Sequence, residues 1–156
     1  MRTEAPPRFT RLLCVALLLA ACTGEPTEPC GPGGPPAGSL RWSDAATWPG
    51  GAVPRAGDAV VIPEGRTVVL DVSPPALASL TVAGELVFGD VDLNLTSGWI
   101  MVHGTFRIGR EEARYQRQAR ITLTGPAGED VMGMGARVLG VMGGTLELHG
   151  APRTGW

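Results

Sequence analysis

Between residues 107 and 120 the chain carries Arg107, Arg110, Arg114, Arg117 and Arg120, with Tyr115 among them. Guanidinium groups grip carboxylates through paired hydrogen bonds, and an aromatic face packs on a sugar ring, so the set suits an anionic polysaccharide. Glu111 and Glu112 allow the alternative of a solvated, locally balanced excursion. Asp90, Asp92 and Asn94 offer oxygen ligands at alternate positions. Calcium takes roughly six oxygens or more, so these are a partial site or simply a polar corner. The two acids would sit about 7 Å apart along a strand, a spacing open to glycosidic acid–base work, but no cleft residues accompany them. His103 and His149 each precede a glycine without a third ligand at metal spacing, and read as surface residues. Trp42, Trp48 and Trp99 could stack on sugars; covering the first turn of a fold is the simpler use of Trp42 and Trp48. There is no Cys-x-x-Cys, phosphate-binding glycine loop or serine elbow. No catalytic residue, cofactor or metal is assigned.

The cysteines bring a different chemistry. Arg2, Arg8 and Arg11 precede or border the apolar run from Leu12 to Ala21. Ten residues rising about 1.5 Å each cannot cross a hydrocarbon core of about 30 Å, so the run reads as a secretory signal, residues 1–21. Leu19-Ala20-Ala21-Cys22 resembles the lipobox of bacterial lipoproteins, which implies cleavage before Cys22 and a lipid on its sulfur. Each buried CH₂ of that lipid would contribute about 0.8 kcal/mol to a membrane anchor. The expected location is then the bacterial cell envelope, at the outer membrane or cell surface, with the membrane as partner. The competing use of Cys22 is a disulfide to Cys30 in an oxidising compartment. Under the lipid reading Cys30 is an odd thiol and Cys14 leaves with the signal. Asn94-Leu-Thr96 is a glycosylation sequon that a bacterium would leave unused.

The chain has 156 residues, enough for one domain. Its net charge of -2 argues against a nucleic-acid partner, which would call for a basic surface. Residues 22–39 are rich in proline and glycine without large apolar side chains, and read as an unfolded, semi-stiff tether. With 23 Gly and 14 Pro in all, an all-β domain with many turns is expected over 40–156.

That region repeats. Leu80-Thr-Val-Ala-Gly84-Glu-Leu-Val-Phe88 matches Ile100-Met-Val-His-Gly104-Thr-Phe-Arg-Ile108 position by position. Ile121-Thr-Leu-Thr-Gly125 repeats the first half, and Val141 to Leu148 repeats the pattern with one added residue at Gly143-Gly144. Ile62-Pro-Glu-Gly65 is a weaker copy, so Gly65, Gly84, Gly104, Gly125 and Gly144 lie 19, 20, 21 and 19 residues apart. Apolar residues alternate within each copy, as strands with one buried face require. Glycine takes the place where a side chain would crowd a corner or where φ is positive. A fixed period near 20 residues, without Asn-Gly hairpin turns, predicts a single-stranded, right-handed parallel β-helix (a β-solenoid) of about five short rungs with an N-terminal cap. Val82, Val102 and Leu123 are expected to pile in one column.

Trp42-Ser-Asp-Ala-Ala-Thr-Trp48-Pro-Gly-Gly51, Val53-Pro-Arg-Ala-Gly57-Asp-Ala-Val-Val-Ile-Pro63, Ile108-Gly-Arg-Glu-Glu112 and Leu139 to Gly150 resemble, in order, the signature of the eight-glycine (G-eight) domain. The resemblance spans Leu40 to Trp156. It implies an extracellular β-rich module, associated in some members with hyaluronan binding or cleavage, whose catalytic acids lie beyond this domain; no catalytic residue carries over. The expected role is a non-catalytic, lipid-anchored extracytoplasmic module that binds polysaccharide or another extracellular partner. The alternatives are the front of a hyaluronan-cleaving enzyme whose catalytic β-helix lies beyond Trp156, and a purely structural β-helix cap or adhesion unit. An uncovered last rung would also favour self-association.

Overall fold

The computed structural model describes residues 36–128 and 130–152. The signal, both uses of Cys22 and most of the tether fall outside the described residues. Ten strands follow in order: β1 (Leu40–Arg41), β2 (Ala59–Ile62), β3 (Thr67–Leu70), β4 (Leu77–Val82), β5 (Glu85–Phe88), β6 (Leu93–Val102), β7 (Thr105–Ile108), β8 (Ala119–Leu123), β9 (Leu139–Val141) and β10 (Thr145–Leu148). All pair in parallel. One sheet runs β1-β3-β5-β7-β10; the other runs β2-β4-β6, with β8 and β9 both paired to β6. From β2 to β8 the chain alternates between the two sheets, so each strand rests on the one two places earlier.

The core lies between the sheets and is built of columns. Leu40, Val68, Leu86, Phe106 and Leu146 follow one another across the first sheet. Val60, Leu80, Ile100 and Leu139 do so across the second, beside Ile62, Val82, Val102 and Val141. Alternation in the sequence thus becomes burial: Leu80, Val82, Leu86, Ile100, Val102 and Phe106 are all fully buried. Like-on-like stacking of aliphatic side chains supplies the apolar contact that short strands lack alone.

Gly84, Gly104 and Gly144 occupy the turns between sheets, and the reason is contact rather than φ. A Cβ on Gly104 would strike the carbonyl oxygens of Gly84 and Ala83, and one on Gly144 would sit 2.5 Å from the Gly104 oxygen. The residue added in the last copy is absorbed at Gly143, where φ is +76°. Thr145 therefore still pairs with Thr105.

One repeat falls elsewhere than its sequence suggests. Ile121 pairs with Leu95 and Leu123 with Ser97. Val102 takes Val141 as its partner, so Leu123 does not join the Val82–Val102 column. The cause is the length of β6, ten residues, at whose middle the Ser97 hydroxyl donates to the Trp99 carbonyl at 2.8 Å. β8 covers the first half of β6 and β9 the second, and residues 126–136 form an insertion between them. The Arg137 Nε closes the base of that insertion on the Gly125 carbonyl at 2.8 Å.

At the β1 end, a 3-10 turn over Ala45–Thr47 folds Trp48 against Trp42 edge to face, at 4.7 Å between centroids. Trp48 Nε1 donates to the Trp42 carbonyl at 2.9 Å. Asp71 pins this cap: it accepts from the Ser43 amide at 3.0 Å and the Ser43 hydroxyl at 2.6 Å, with Arg41 3.7 Å away. Burial pushes the Asp71 pKa up, but the two Ser43 hydrogen bonds and Arg41 outweigh it and hold the carboxyl below its usual range. Asp71 therefore stabilises the fold above the unfolded carboxylate range of about 4, and loses that contribution as pH falls through its lowered folded value. Asp71→Asn is expected to cost about 1–2 kcal/mol at neutral pH and to flatten the acid limb of the pH–stability curve. Urea melts between pH 2.5 and 7 test this; parallel curves for the two proteins would refute it.

Candidate functional site

Residues 109–118 leave β7 as a compact excursion and return into β8. Gly109 turns the chain at φ +71°, and a Cβ there would meet the His149 oxygen and the Tyr115 nitrogen at 2.7 Å. Arg110 and Ala113 exchange backbone hydrogen bonds of 2.9 and 3.2 Å. Tyr115 then forms a parallel bridge to Gly150, with its amide on the His149 carbonyl at 2.8 Å.

That bridge corrects the role foreseen for Tyr115. Its ring is 7% exposed and packs edge-on against Phe88 at 6.4 Å. Its hydroxyl donates to the Val91 carbonyl at 2.5 Å. Burial first, then the charges of Asp90 and Asp92, push its pKa up to about 12 despite Arg117. A ring held this way anchors the excursion and offers no face to a sugar.

The arginines divide. Arg107 lies on the outer face of the first sheet, directly opposite Glu147, with Nε 2.6 Å from that carboxylate and Nη1 2.5 Å from Glu85. Thr67 Oγ1 extends the row to Glu85 at 2.9 Å. The Glu147 hydrogen bond raises the already high Arg107 pKa against the opposing effect of burial. The Arg107 hydrogen bond in turn holds Glu147 below the usual carboxylate range. Arg107 is thus neutralised by two acids. Arg117 approaches Asp90 at 3.5 Å. Arg110, Arg114 and Arg120 form no ion pair among the described residues. Arg107 and Arg110 share a groove of about 460 Å³ with Glu111, Glu112, Glu147 and His149. Arg117 instead borders a separate cleft of about 690 Å³ at the β10 end, over Ile108, Ile121 and Leu148. Arg114 and Arg120 line neither cavity, so the six residues do not converge on one site.

Asp90, Asp92 and Asn94 also have structural duties. Asp92 Oδ1 accepts from the Gln118 backbone N–H at 2.8 Å, and the Asn94 backbone N–H donates to Ser73 Oγ at 2.9 Å. With Asp90 on Arg117, the two acids brace the excursion. Among the described residues no three His, Cys, Asp or Glu side chains are grouped to hold a metal. His103 is exposed, and His149 is half-buried along the groove.

The feature that sequence reasoning placed only in outline is the end of the stack. Val141, Leu146 and Leu148 occupy inward positions on Val102, Phe106 and Ile108, yet are 41%, 37% and 57% exposed. Ile121, Leu123 and Leu139 beside them are half-buried. The 690 Å³ cleft opens at this same end.

The chain is similar to known proteins along most of its length. The model of the G8 domain matches residues 47–156. Fibrocystin-L of Homo sapiens is 37% identical over 115 residues, covering 71% of this chain and 3% of that protein. Fibrocystin of Mus musculus is 35% identical over 116 residues, again 71% and 3%. A cell surface hyaluronidase of Danio rerio is 40% identical over 111 residues, 62% of this chain and 8% of that protein. The chain thus spans only a small fraction of the curated relatives it matches. No solved structure matches it. These relatives are eukaryotic proteins, which overturns the bacterial envelope and outer-membrane location expected from the residues around Cys22.

Proposed function

The chain belongs to the G8 domain family, and on that premise we propose that it is a non-catalytic module of an extracellular or cell-surface protein, one sealed end of a β-helix. In this reading the strands wind right-handedly, the hand that parallel crossovers take almost without exception. The Trp42–Trp48 cap closes one end, and the other end takes up further parallel β-structure. Relatives named for the cell surface and for hyaluronan cleavage support the location. Catalysis is not part of the reading, because Asp71, Glu85, Asp90, Asp92 and Glu147 are engaged with Ser43, Arg107, Arg117 and Gln118.

The observation that carries the proposal is the set of inward-facing yet exposed side chains at Val141, Leu146 and Leu148. Apolar groups on an open column, next to the unpaired outer edge of β10, form a template for another strand. In the isolated chain that template can meet the same edge of another copy. Sedimentation is expected to show concentration-dependent association, abolished by Val141→Glu with Leu148→Glu at unchanged circular dichroism. A wild-type chain that stays monomeric at high concentration would overturn the reading. Salt-sensitive retention on immobilised hyaluronan, lost on replacing Arg110, Arg114 and Arg117 with Ala, would instead assign the module to glycan contact.

A further inference from the structure

The outer face of the second sheet holds a group of soft ligands that the capping role leaves unused. Ile100 and Val102 point into the core at 0% exposure, so alternation turns Met101 and His103 outward. Leu139 and Val141 stack on Ile100 and Val102, which sets Gly140 beside Met101 and Met142 beside His103. Gly140 leaves room above this face: a Cβ there would lie 2.9 Å from Met101 Sδ and 3.4 Å from Met134 Cε. A thioether from β6 and one from the 126–136 insertion therefore meet over the same glycine.

The turn that carries Met134 is closed by its own hydrogen bonds. The Met134 amide donates to the Val131 carbonyl at 3.0 Å, and the Gly135 amide to Asp130 Oδ1 at 2.8 Å. Met101 is only 1% exposed although it faces outward from the sheet, whereas Met134 and Met142 remain 42% and 47% exposed. His103 Nδ1 lies 3.2 Å from the Met142 carbonyl oxygen. A carbonyl only accepts, so Nδ1 carries the proton and the lone pair is left on Nε2. A backbone carbonyl behind the other ring nitrogen is the arrangement that fixes metal-binding histidines.

Thioethers select soft ions, and imidazole accepts them; hard cations would need carboxylates. We propose that His103 Nε2, with the sulfurs of Met101, Met134 and Met142, forms a binding site for a soft monovalent cation of the Cu(I) type. The site uses the outward-facing side chains of β6, β9 and the insertion, not the inward-facing column at the open end of the stack.

Silver(I) serves as the probe, added as nitrate in chloride-free buffer to the full chain with its cysteines alkylated and its methionine methyls labelled with ¹³C. One equivalent is expected to shift the methyls of Met101, Met134 and Met142, while Met1 and the 65%-exposed Met132 stay in place. His103→Ala and Met134→Leu should each weaken binding by at least about tenfold, with melting temperatures in the absence of silver unchanged. Both positions are exposed enough that neither variant threatens the fold. Shifts of all five methyls at the same silver concentration, no shift at all, or wild-type affinity in both variants would each overturn the site.

Discussion

Alanine at Gly104 is expected to remove about 3 kcal/mol or more of the stability of the fold. The added methyl would lie against the carbonyl oxygens of Gly84 and Ala83 and the Ala83 carbonyl carbon at 2.8 Å. All three are backbone atoms of the preceding turn, so no side chain can swing aside. Relief requires lifting one strand turn from the next, which breaks the hydrogen bonds that the His103 and Gly104 amides donate to the Val82 carbonyl, at 2.8 and 2.9 Å. Overpacking in a core typically costs about 1–3 kcal/mol and more where nothing yields; here about 3 kcal/mol or more is expected. Against a total of about 5–15 kcal/mol that is a large share. Gly50 is the control, because a Cβ there meets nothing within 4 Å and its φ is ordinary. Gly50→Ala should change stability by less than about 0.5 kcal/mol. Equal denaturation midpoints for the two variants would show that the turns are not stacked as described.

The second large effect is at Trp42. The side chain is fully buried, and its indole Nε1 finds no partner among the described residues. Trp42→Ala should cost about 3–5 kcal/mol, through lost contact and the cavity left under Trp48. Trp42→Phe keeps most of the packing and surrenders no hydrogen bond, so it should cost much less. Hydrogen exchange should show where the damage lies: amides of β2 and β3 lose protection first, and those of β7 last. Equal losses for the two variants, or uniform loss along the stack, would remove Trp42 from the role of seal.

Much of this architecture was legible in the sequence because parallel stacking writes itself as repetition. Leu80 to Phe88 and Ile100 to Ile108 could be laid over each other residue by residue, and the structure pairs them that way. Ile121 to Gly125 misled because its five residues are as good a match for one half of β6 as for the other. Local alternation reports which face is buried, but not which stretch of a ten-residue strand lies underneath. Only the 126–136 insertion shows that the rung is split. Tyr115 misled for another reason. Flanking arginines made it look exposed, yet a lone large aromatic within a charged run is also what anchors such a run to a core. Arg107 was recoverable: the repeat that aligns Ile108 with Leu148 also aligns Arg107 with Glu147. Cluster reasoning along the chain missed a partner 40 residues away.

The apolar columns distinguish one strand from another only weakly, since Leu86, Phe106 and Leu146 are all large apolar side chains in one column. The row Glu85–Arg107–Glu147 can. Were β10 to settle on β5 with β7 left out, two carboxylates would face each other with no cation between them. A skipped strand is the natural misassembly of a self-similar parallel stack, and this alternation of sign penalises it. Charge on the outer surface thus proofreads the sequence in which the strands are laid down.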